Sequence, residues 1–308
     1  MKSIDIIIPV YKPDGKLLRL LDMLQRQTVR AERILLVNTE RSYFDAFISG
    51  TDFRHRYGNV SVKHISRREF DHGNTRRQAV LDSHSEYFVM MTDDAVPADE
   101  HILENLLSPL WEGKAAMSYA RQLPDGGCGL IESFTRSFNY PDASLIKSKE
   151  DLAVMGIKTF FASNVCAAYN RAVYDSLGGF VEHTIFNEDM IYARGLIDAG
   201  ERIAYAADAR VIHSHNYSSL MQLRRNFDLG VSHSQYPGVF EGIRTKKEGL
   251  RLVKSTCGYL LKKGKPWLIV KLVWHSGCKY IGFFLGKRYQ RLPGGVVRLC
   301  SMNRGYWK

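Results

Sequence analysis

Phe88-Val89-Met90-Met91-Thr92-Asp93-Asp94-Ala95-Val96-Pro97 is an apolar run that ends in two carboxylates and a proline. Tyr87 to Met91 reads as a short buried strand, because apolar and aromatic residues follow one another with no polar alternation. Pro97 cannot extend a hydrogen-bonded ladder, so the strand stops near Thr92. Two acidic side chains at the carboxyl end of a buried strand need compensation. In open α/β sheets that end is also where ligands bind. A divalent cation carrying a diphosphate answers both points, and hard oxygen ligands suit Mg2+ or Mn2+. Asp93 and Asp94 also suit the cap of a helix expected over Asp99 to Leu107, so the pair alone does not choose between cap and cation site.

Toward the N terminus, Ile4 to Val10 is a β-branched run ending in Pro9-Val10, and Tyr11 follows where a base or ring can stack. Leu17, Leu18, Leu21 and Leu24 recur at helical spacing. Arg33 to Thr39 and Val60 to Ile65 are further strands, and a helix over Asn74 to Asp82 leads back to the central run. Alternation of strand and helix implies a parallel sheet with right-handed crossovers. No GxGxxG follows the first strand and no Walker sequence occurs, which argues against a dinucleotide fold. Gly73 permits a tight turn into a helix whose N-terminal amides favour an anion. Arg76 and Arg77 in that first turn oppose the helix dipole. A bound diphosphate accounts for them, since guanidinium matches phosphate oxygens; the alternative is a solvated helix start.

Downstream, Ala115 to Gln122 and Lys158 to Asn164 read as strands. Residues 134 to 157 read as a loop with one short helix, and Arg171 to Leu177 as a helix stopped by Gly178-Gly179. Asn187 suits an N-cap, and Glu188 and Asp189 the first turn of a helix to about Ala199. Those acids fit capping and fit general-base work equally, because a carboxylate at a loop-to-helix junction can reach an acceptor hydroxyl. Ala209 to Tyr217 reads as a strand ending in His213-x-His215, with both rings on one face. Either ring can complete a cation shell begun by Asp94. A helix over Leu220 to Leu229 carries Arg224 and Arg225, facing anionic substrate or solvent.

The 308 residues suit one large domain with an appendage, and the 45% apolar content allows a sizeable core. The net charge of +11 is uneven: 16 Lys/Arg and 2 Asp/Glu follow residue 240, leaving 27 and 30 before it. Residues 1–240 therefore read as the catalytic part, in halves of about 1–110 and 111–240, and residues 241–308 as a basic amphipathic helical tail. A basic tail needs an anionic partner. Trp267, Trp274, Tyr280, Phe283 and Phe284 mixed with lysines fit helices lying in an anionic membrane interface; the alternative is a helical cap packed on the main domain with a basic outer face. No nucleic-acid motif accompanies the charge. No run of about 20 apolar residues reads as a bilayer span. Five scattered cysteines without a CxxC pair indicate neither zinc nor a disulfide framework. Met1-Lys2-Ser3 leads directly into the first strand, so no secretory signal is expected. A cytoplasmic protein, peripheral at the inner face of the cell membrane, is the expectation; oligomeric state is open.

The order of parts over roughly residues 3 to 235 resembles the inverting family 2 glycosyltransferases of the GT-A fold, and among them bacterial rhamnosyltransferases. Ile6-Ile7-Ile8-Pro9-Val10-Tyr11 is similar to the family's opening strand, whose end meets the nucleotide base. Gly73-Asn74-Thr75-Arg76-Arg77-Gln78-Ala79 is similar to its arginine-bearing stretch. Thr92-Asp93-Asp94-Ala95-Val96-Pro97 lies where the family has Asp-x-Asp, which makes Asp94 the metal ligand. Gly178-Gly179-Phe180 followed by Glu188-Asp189 and Arg194 resembles the pattern that ends in the catalytic base, Asp189. The rhamnosyltransferase likeness rests on Phe70-Asp71-His72-Gly73-x-Thr75-Arg76 and His213-Ser214-His215-Asn216-Tyr217-Ser218.

The resemblance implies transfer of a sugar, rhamnose from dTDP-rhamnose, from a nucleotide-diphospho-sugar donor to a glycan or lipid-linked glycan in cell-surface polysaccharide synthesis. It implies Mg2+ or Mn2+ on Asp94 and His213 or His215. The donor side takes Pro9, Val10, Tyr11, Asn38, Gly73, Arg76, Arg77, Thr92 and Asp93. The catalytic pair is Asp189 with Glu188, and Asn164 and Asn187 fall to the acceptor. Thr92 stands in the first Asp position of Asp-x-Asp, with Asp93 the substitute for the ribose contact, and Asn38-Thr39-Glu40 replaces an Asp-rich turn. The competing classes are a nucleotidyltransferase of similar fold and a non-catalytic, membrane-associated family member.

Overall fold

The computed structural model describes residues 2–242 and 246–307. Its first part alternates strand and helix: β1 (Ile4–Tyr11), α1 (Gly15–Gln25), β2 (Arg33–Thr39), α2 (Arg41–Ile48), α3 (Phe53–Arg56), β3 (Val60–Ile65), α4 (His72–Leu81) and β4 (Tyr87–Met91). Then come β5 (Val96–Pro97), α5 (Ile102–Trp111), β6 (Met117–Leu123), α6 (Leu130–Asn139), β7 (Leu145–Lys147), α7 (Leu152–Met155), β8 (Cys166–Asn170) and α8 (Arg171–Ser176). The last part holds α9 (Glu188–Asp198), β9 (Ile203–Ile212), α10 (Ser219–Gln235), α11 (Pro237–Phe240), α12 (Lys246–Lys262), α13 (Leu268–Gly286) and α14 (Gly294–Cys300).

The nine strands form one sheet in the order β3-β2-β1-β4-β8-β6-β9-β5, with β7 also paired to β9. Six strands (β1, β2, β3, β4, β6 and β9) run one way, and β8, β5 and β7 run against them. The mostly parallel α/β expectation therefore holds, with antiparallel β8 inserted between β4 and β6. One geometric result matters for function. The carboxyl ends of β1, β4, β6 and β9 and the amino end of β8 all lie along one edge of the sheet.

Burial on both faces explains the continuous apolar runs. Ile6, Ile8, Leu36, Val89 and Met91 pack against α1 and α5, while Ile7, Leu35, Val37, Phe88 and Met90 pack toward α4 and α9. Side chains along each strand alternate between these two cores.

Several local expectations change. Lys158 to Asn164 is a turn and extended loop rather than a strand, and the strand is Cys166–Asn170. Phe160 and Ala162 are apolar because the loop itself is buried. The segment expected to be mostly loop, 134–157, contains most of α6 together with β7 and α7. Part of α6's support is distant in sequence: Phe134 stacks on Tyr259 of α12 at 4.7 Å between centroids. β9 starts earlier than expected and ends at Ile212, and the His213 N–H still bonds to β6, so Ser214 to Tyr217 lie beyond the ladder. α5 begins at Ile102 and runs through Pro109 to Trp111. α10 continues to Gln235.

In the C-terminal region, α13 is seated on α10 backbone against backbone. A Cβ on Gly282 would lie 2.1 Å from Leu223 O, one on Gly286 2.0 Å from Phe227 O, and one on Gly230 2.4 Å from Phe283 O. Only glycine permits this approach. The opposite face of α13 carries Val270, Val273, Trp274, Gly277, Ile281 and Phe284 at helical spacing, with Val270 76% and Trp274 66% exposed. Phe283, expected among the interfacial aromatics, is turned inward against His233. By length and composition Leu268–Gly286 is long and apolar enough to cross a membrane, at 19 residues and mean hydropathy 1.2. Reading for an unbroken apolar run missed this because Lys271, His275 and Lys279 interrupt the sequence.

Candidate active site

The carboxyl ends of β4 and β9 build a three-ligand cluster. After β4 the chain turns, with Ala95 N–H donating to Thr92 O at 3.1 Å, and this turn presents Asp93 and Asp94. After β9, His213 N–H donates to Leu123 O at 2.9 Å, which extends the pairing with β6 by one residue and turns the ring inward. Asp94 Oδ1 lies 3.5 Å from His213 Nε2, and Asp94 Oδ2 lies 3.4 Å from His215 Nε2. The two Nε2 atoms are 3.0 Å apart. One ligand atom from each residue falls within 4.8 Å of the others. Burial lowers the pKa of both imidazoles despite the Asp94 charge and favours their neutral, ligating form. Two imidazole nitrogens and a carboxylate oxygen converging on one point fit a divalent cation. Tyr217 stacks on His215 at 4.8 Å between centroids. Beside this cluster, burial and then the Asp94 charge push Asp93 up to about 7, although Asp93 accepts Tyr11 N–H at 3.4 Å.

A second acidic centre lies at the start of α9. Glu188 pairs with Arg76, Oε1 to Nε 3.1 Å, both side chains being almost wholly buried. Asn164 Nδ2 donates to the same Oε1 at 3.0 Å. Burial opposes the Glu188 anion, but Arg76, His72 and Asn164 outweigh it and hold the group below its ordinary value. Asp189 has no such cation of its own. Its Oδ2 accepts Asn164 N–H at 2.9 Å and its Oδ1 accepts Met190 N–H at 2.7 Å. Burial first, and the Glu188 charge second, raise Asp189 well above the ordinary carboxylate range. Adjacent acids thus differ in basicity because one has the guanidinium and the other does not.

Asp94, His213, His215, Arg76, Glu188 and Asp189 line one continuous cleft. Tyr11, Thr92 and Asp93 line it as well, as do Asn164 and Asn187. Thr92 Oγ1 is buried there without a hydrogen-bond partner among the described residues.

Other expected residues are placed differently. Arg77 is outside the cleft: it donates to Gly178 O and, at 2.9 Å, to Phe180 O, so it fastens the turn before α9. Gly73 does not leave its amide for a diphosphate. Asp71 Oδ1 caps α4 by accepting Gly73 N–H at 2.8 Å and Asn74 N–H at 3.1 Å. The glycine is needed for packing instead, since a Cβ would meet Val181 O at 2.1 Å. Arg76 reaches the cleft but is committed to Glu188. Asn38 is fully buried beneath the cleft and donates to Glu40 O and toward His64 Nδ1. Val10 is buried within β1, and neither it nor Pro9 is among the lining residues, so Tyr11, 42% exposed, is the part of that stretch that faces the cleft. Asn187 caps nothing: it sits in the left-handed region at φ 66°, and its amide donates to Ser232 Oγ at 3.2 Å. The Asn164 amide is held between Glu188 and the Tyr169 hydroxyl, which donates to its Oδ1 at 2.6 Å.

Some lining residues had no assignment from the sequence, and Arg225, expected to face anionic substrate or solvent, lines the cleft with them. Arg67 stands 5.8 Å over the Tyr11 ring. Arg225 lies over Phe186 at 4.7 Å, whereas Arg224 turns away to donate to Leu299 O at 3.0 Å. Gln122, Arg136 and Tyr140 stand behind His213. Tyr217 was detectable from His213-x-His215-x-Tyr217, but Gln122 and Arg136 carry no local signal.

The chain matches the family described as Glycosyl transferase family 2 over residues 5–178. It is 36% identical to the O-antigen chain rhamnosyltransferase RfbN of Salmonella typhimurium, over 99% of this chain and 96% of that protein. It is 37% identical to the O-antigen chain rhamnosyltransferase WbaN of Salmonella anatum, over 100% of this chain and 96% of that protein. Among solved structures it superposes on the mannosyltransferase PcManGT of Pyrobaculum calidifontis in complex with GDP-Man and Mn2+. The TM-score is 0.56 at 13% identity, covering 99% of this chain and 85% of that one. TarS of S. aureus (residues 1–349) in complex with UDP-GlcNAc gives a TM-score of 0.52 at 11% identity, covering 94% and 91%. At such identities these likenesses concern the fold alone.

Proposed function

This chain belongs to glycosyl transferase family 2 and is a glycosyltransferase, and on that premise we propose that it is an inverting rhamnosyltransferase of O-antigen synthesis. The donor in this reading is dTDP-rhamnose, and the acceptor is a glycan or lipid-linked glycan. The observation that carries the reaction is the shared cleft of Asp94, His213, His215, Asp189 and the Arg76–Glu188 pair. The whole-length likeness to two rhamnosyltransferases supports the sugar.

Asp189 is the general base. Two backbone N–H groups fix its carboxylate, and its raised basicity suits removal of a proton from the attacking hydroxyl. Arg76 keeps Glu188 ionised beside it, and that charge sustains the basicity of Asp189. Tyr11 and Arg67 hold the base of the donor, and Asp93 and Thr92 meet its ribose. Arg225, without a carboxylate partner among the described residues, stands at the cleft wall and offsets charge on the leaving nucleotide diphosphate. Asp94, His213 and His215 hold a divalent cation, which when bound supplies Lewis-acid stabilisation to the diphosphate. Two imidazole ligands favour Mn2+ over Mg2+. In this reading the protein works peripherally at an anionic membrane face on the cytoplasmic side, a position that the basic C-terminal region and the exposed apolar stripe of α13 support.

Thermal unfolding of the full chain with Mn2+ and a series of nucleotide sugars tests the donor. A ligand at a hundred times its Kd stabilises by about 2.7 kcal/mol, so dTDP-rhamnose should raise the midpoint and release dTDP when acceptor is added. A rise with UDP-sugars and none with dTDP-rhamnose would replace the donor assignment.

A further inference from the structure

We infer that Gln122 is a positioning residue: it fixes which ring nitrogen of His213 carries the proton and so presets His213 as a cation ligand, resting on the cation reading above. Gln122 lies near the end of β6, 3% exposed. Its Oε1 accepts from an Arg136 guanidinium N–H and lies 2.9 Å from His213 Nδ1. Its Nε2 donates to the Tyr140 hydroxyl at 2.6 Å and to Ser163 Oγ at 3.1 Å. Both lone pairs and both protons of the amide are engaged.

Arg136 decides which way round the amide sits. A guanidinium can only donate, so the amide oxygen must face it; the flipped amide would set N–H against N–H. Arg136 is itself anchored by Glu132 one helical turn away on α6, Nε to Oε1 2.9 Å. With Oε1 held toward the ring, His213 Nδ1 must be the protonated nitrogen. His213 Nε2 is then a bare lone pair, aimed at Asp94 Oδ1 and His215 Nε2. A lone pair facing a carboxylate is unfavourable until a cation lies between them. The network thus holds His213 in the form that binds the ion and resists the form that would instead donate to Asp94.

The two histidines consequently differ. His215 Nε2–H can donate to the His213 lone pair while the site is empty, and its proton must move to Nδ1 or leave when an ion binds. His213 is preset; His215 adapts. Outer partners of this kind typically contribute about 10–100-fold to metal affinity.

The test uses the full-length chain with 15N-labelled histidine. Long-range 1H–15N correlation on the cation-free protein should report His213 as the Nδ1–H tautomer. Mn2+ titration followed by electron paramagnetic resonance, without donor, should show Gln122→Leu weakening binding about 10–100-fold. Gln122→Glu keeps an acceptor toward both Arg136 and His213, so tautomer and affinity should both persist. An Nε2–H tautomer in the wild type overturns the inference, and so does undiminished Mn2+ binding by Gln122→Leu. A wild type that binds no Mn2+ removes the cation reading itself, and this inference with it. Should Gln122→Leu fail to fold, loss of the Nδ1–H tautomer or of Mn2+ affinity in Gln122→Glu would overturn the inference, and their retention would support it.

Discussion

Asp189 and Glu188 are neighbours in sequence with opposite electrostatic fates, and that contrast makes two predictions. Asp189→Asn should lower the turnover rate by about 10²–10⁴ while leaving the dissociation constant for dTDP-rhamnose unchanged, because a positioned base acts on the acceptor and not on the donor. Initial rates alongside calorimetric donor titration check this. The base works only when deprotonated, and burial with the Glu188 charge raises its pKa. The acid limb of the rate profile should therefore lie well above the ordinary Asp value of about 3.9. Glu188→Gln removes a nearby negative charge and frees Arg76. Both effects lower the Asp189 pKa, so the acid limb should move to lower pH. A limb that stays in place would mean that another group controls it. Some of this centre was legible in the sequence, since Asp94, His213 and the Glu188-Asp189 pair carry recognisable chemistry at recognisable spacing. The adjacent Arg76 and Arg77 were not separable, because consecutive helical residues point about 100° apart and only packing says which one faces the cleft. Gln122 was invisible, because its role exists only after β6, α6 and β9 have come together.

At the scale of elements, the strands buried on both faces were readable and the second half of the sheet was less so. The bounds expected for β2 and β3 match: Ile34 to Val37 of β2 is a continuous apolar run, and β3 alternates Val60 and Val62 with Ser61 and Lys63. Lys158 to Asn164 misled because a buried loop and a buried strand share one composition. α6 was obscured because Phe134 packs on Tyr259, over a hundred residues away. The α10–α13 seam makes the element-scale prediction. Gly286→Val would drive a side chain into Phe227 O and should destabilise by about 1–3 kcal/mol. Gly277 on the same helix meets nothing within 4 Å, so Gly277→Ala should be neutral or stabilising by about 0.5–1 kcal/mol. Urea midpoints of the two variants check the contrast, and equal midpoints would argue against the close approach.

For the whole molecule, residues 1–240 and residues 241–308 carry opposite charge balance yet share the α10–α13 seam. The exposed stripe of α13 and the excess of lysine and arginine make one prediction. Full-length protein should co-sediment with phosphatidylglycerol vesicles and release at high salt, because each cation near an anionic surface contributes about 1 kcal/mol and is screened by ions. Val270→Asp with Trp274→Asp should abolish sedimentation and leave transfer to a soluble acceptor intact, since neither side chain lines the cleft. Retained sedimentation would remove α13 as the docking face. The glycine seat of α13 also limits how the chain can diversify. A C-terminal appendage on a flexible tether can be exchanged as a cassette between related enzymes. One fitted carbonyl to carbon into its host cannot, because a foreign helix bearing ordinary side chains at the two positions of Gly282 and Gly286 has no room to enter. Grafts that carry α13 without its own α10 should therefore be rejected, and the two helices are expected to change together or not at all.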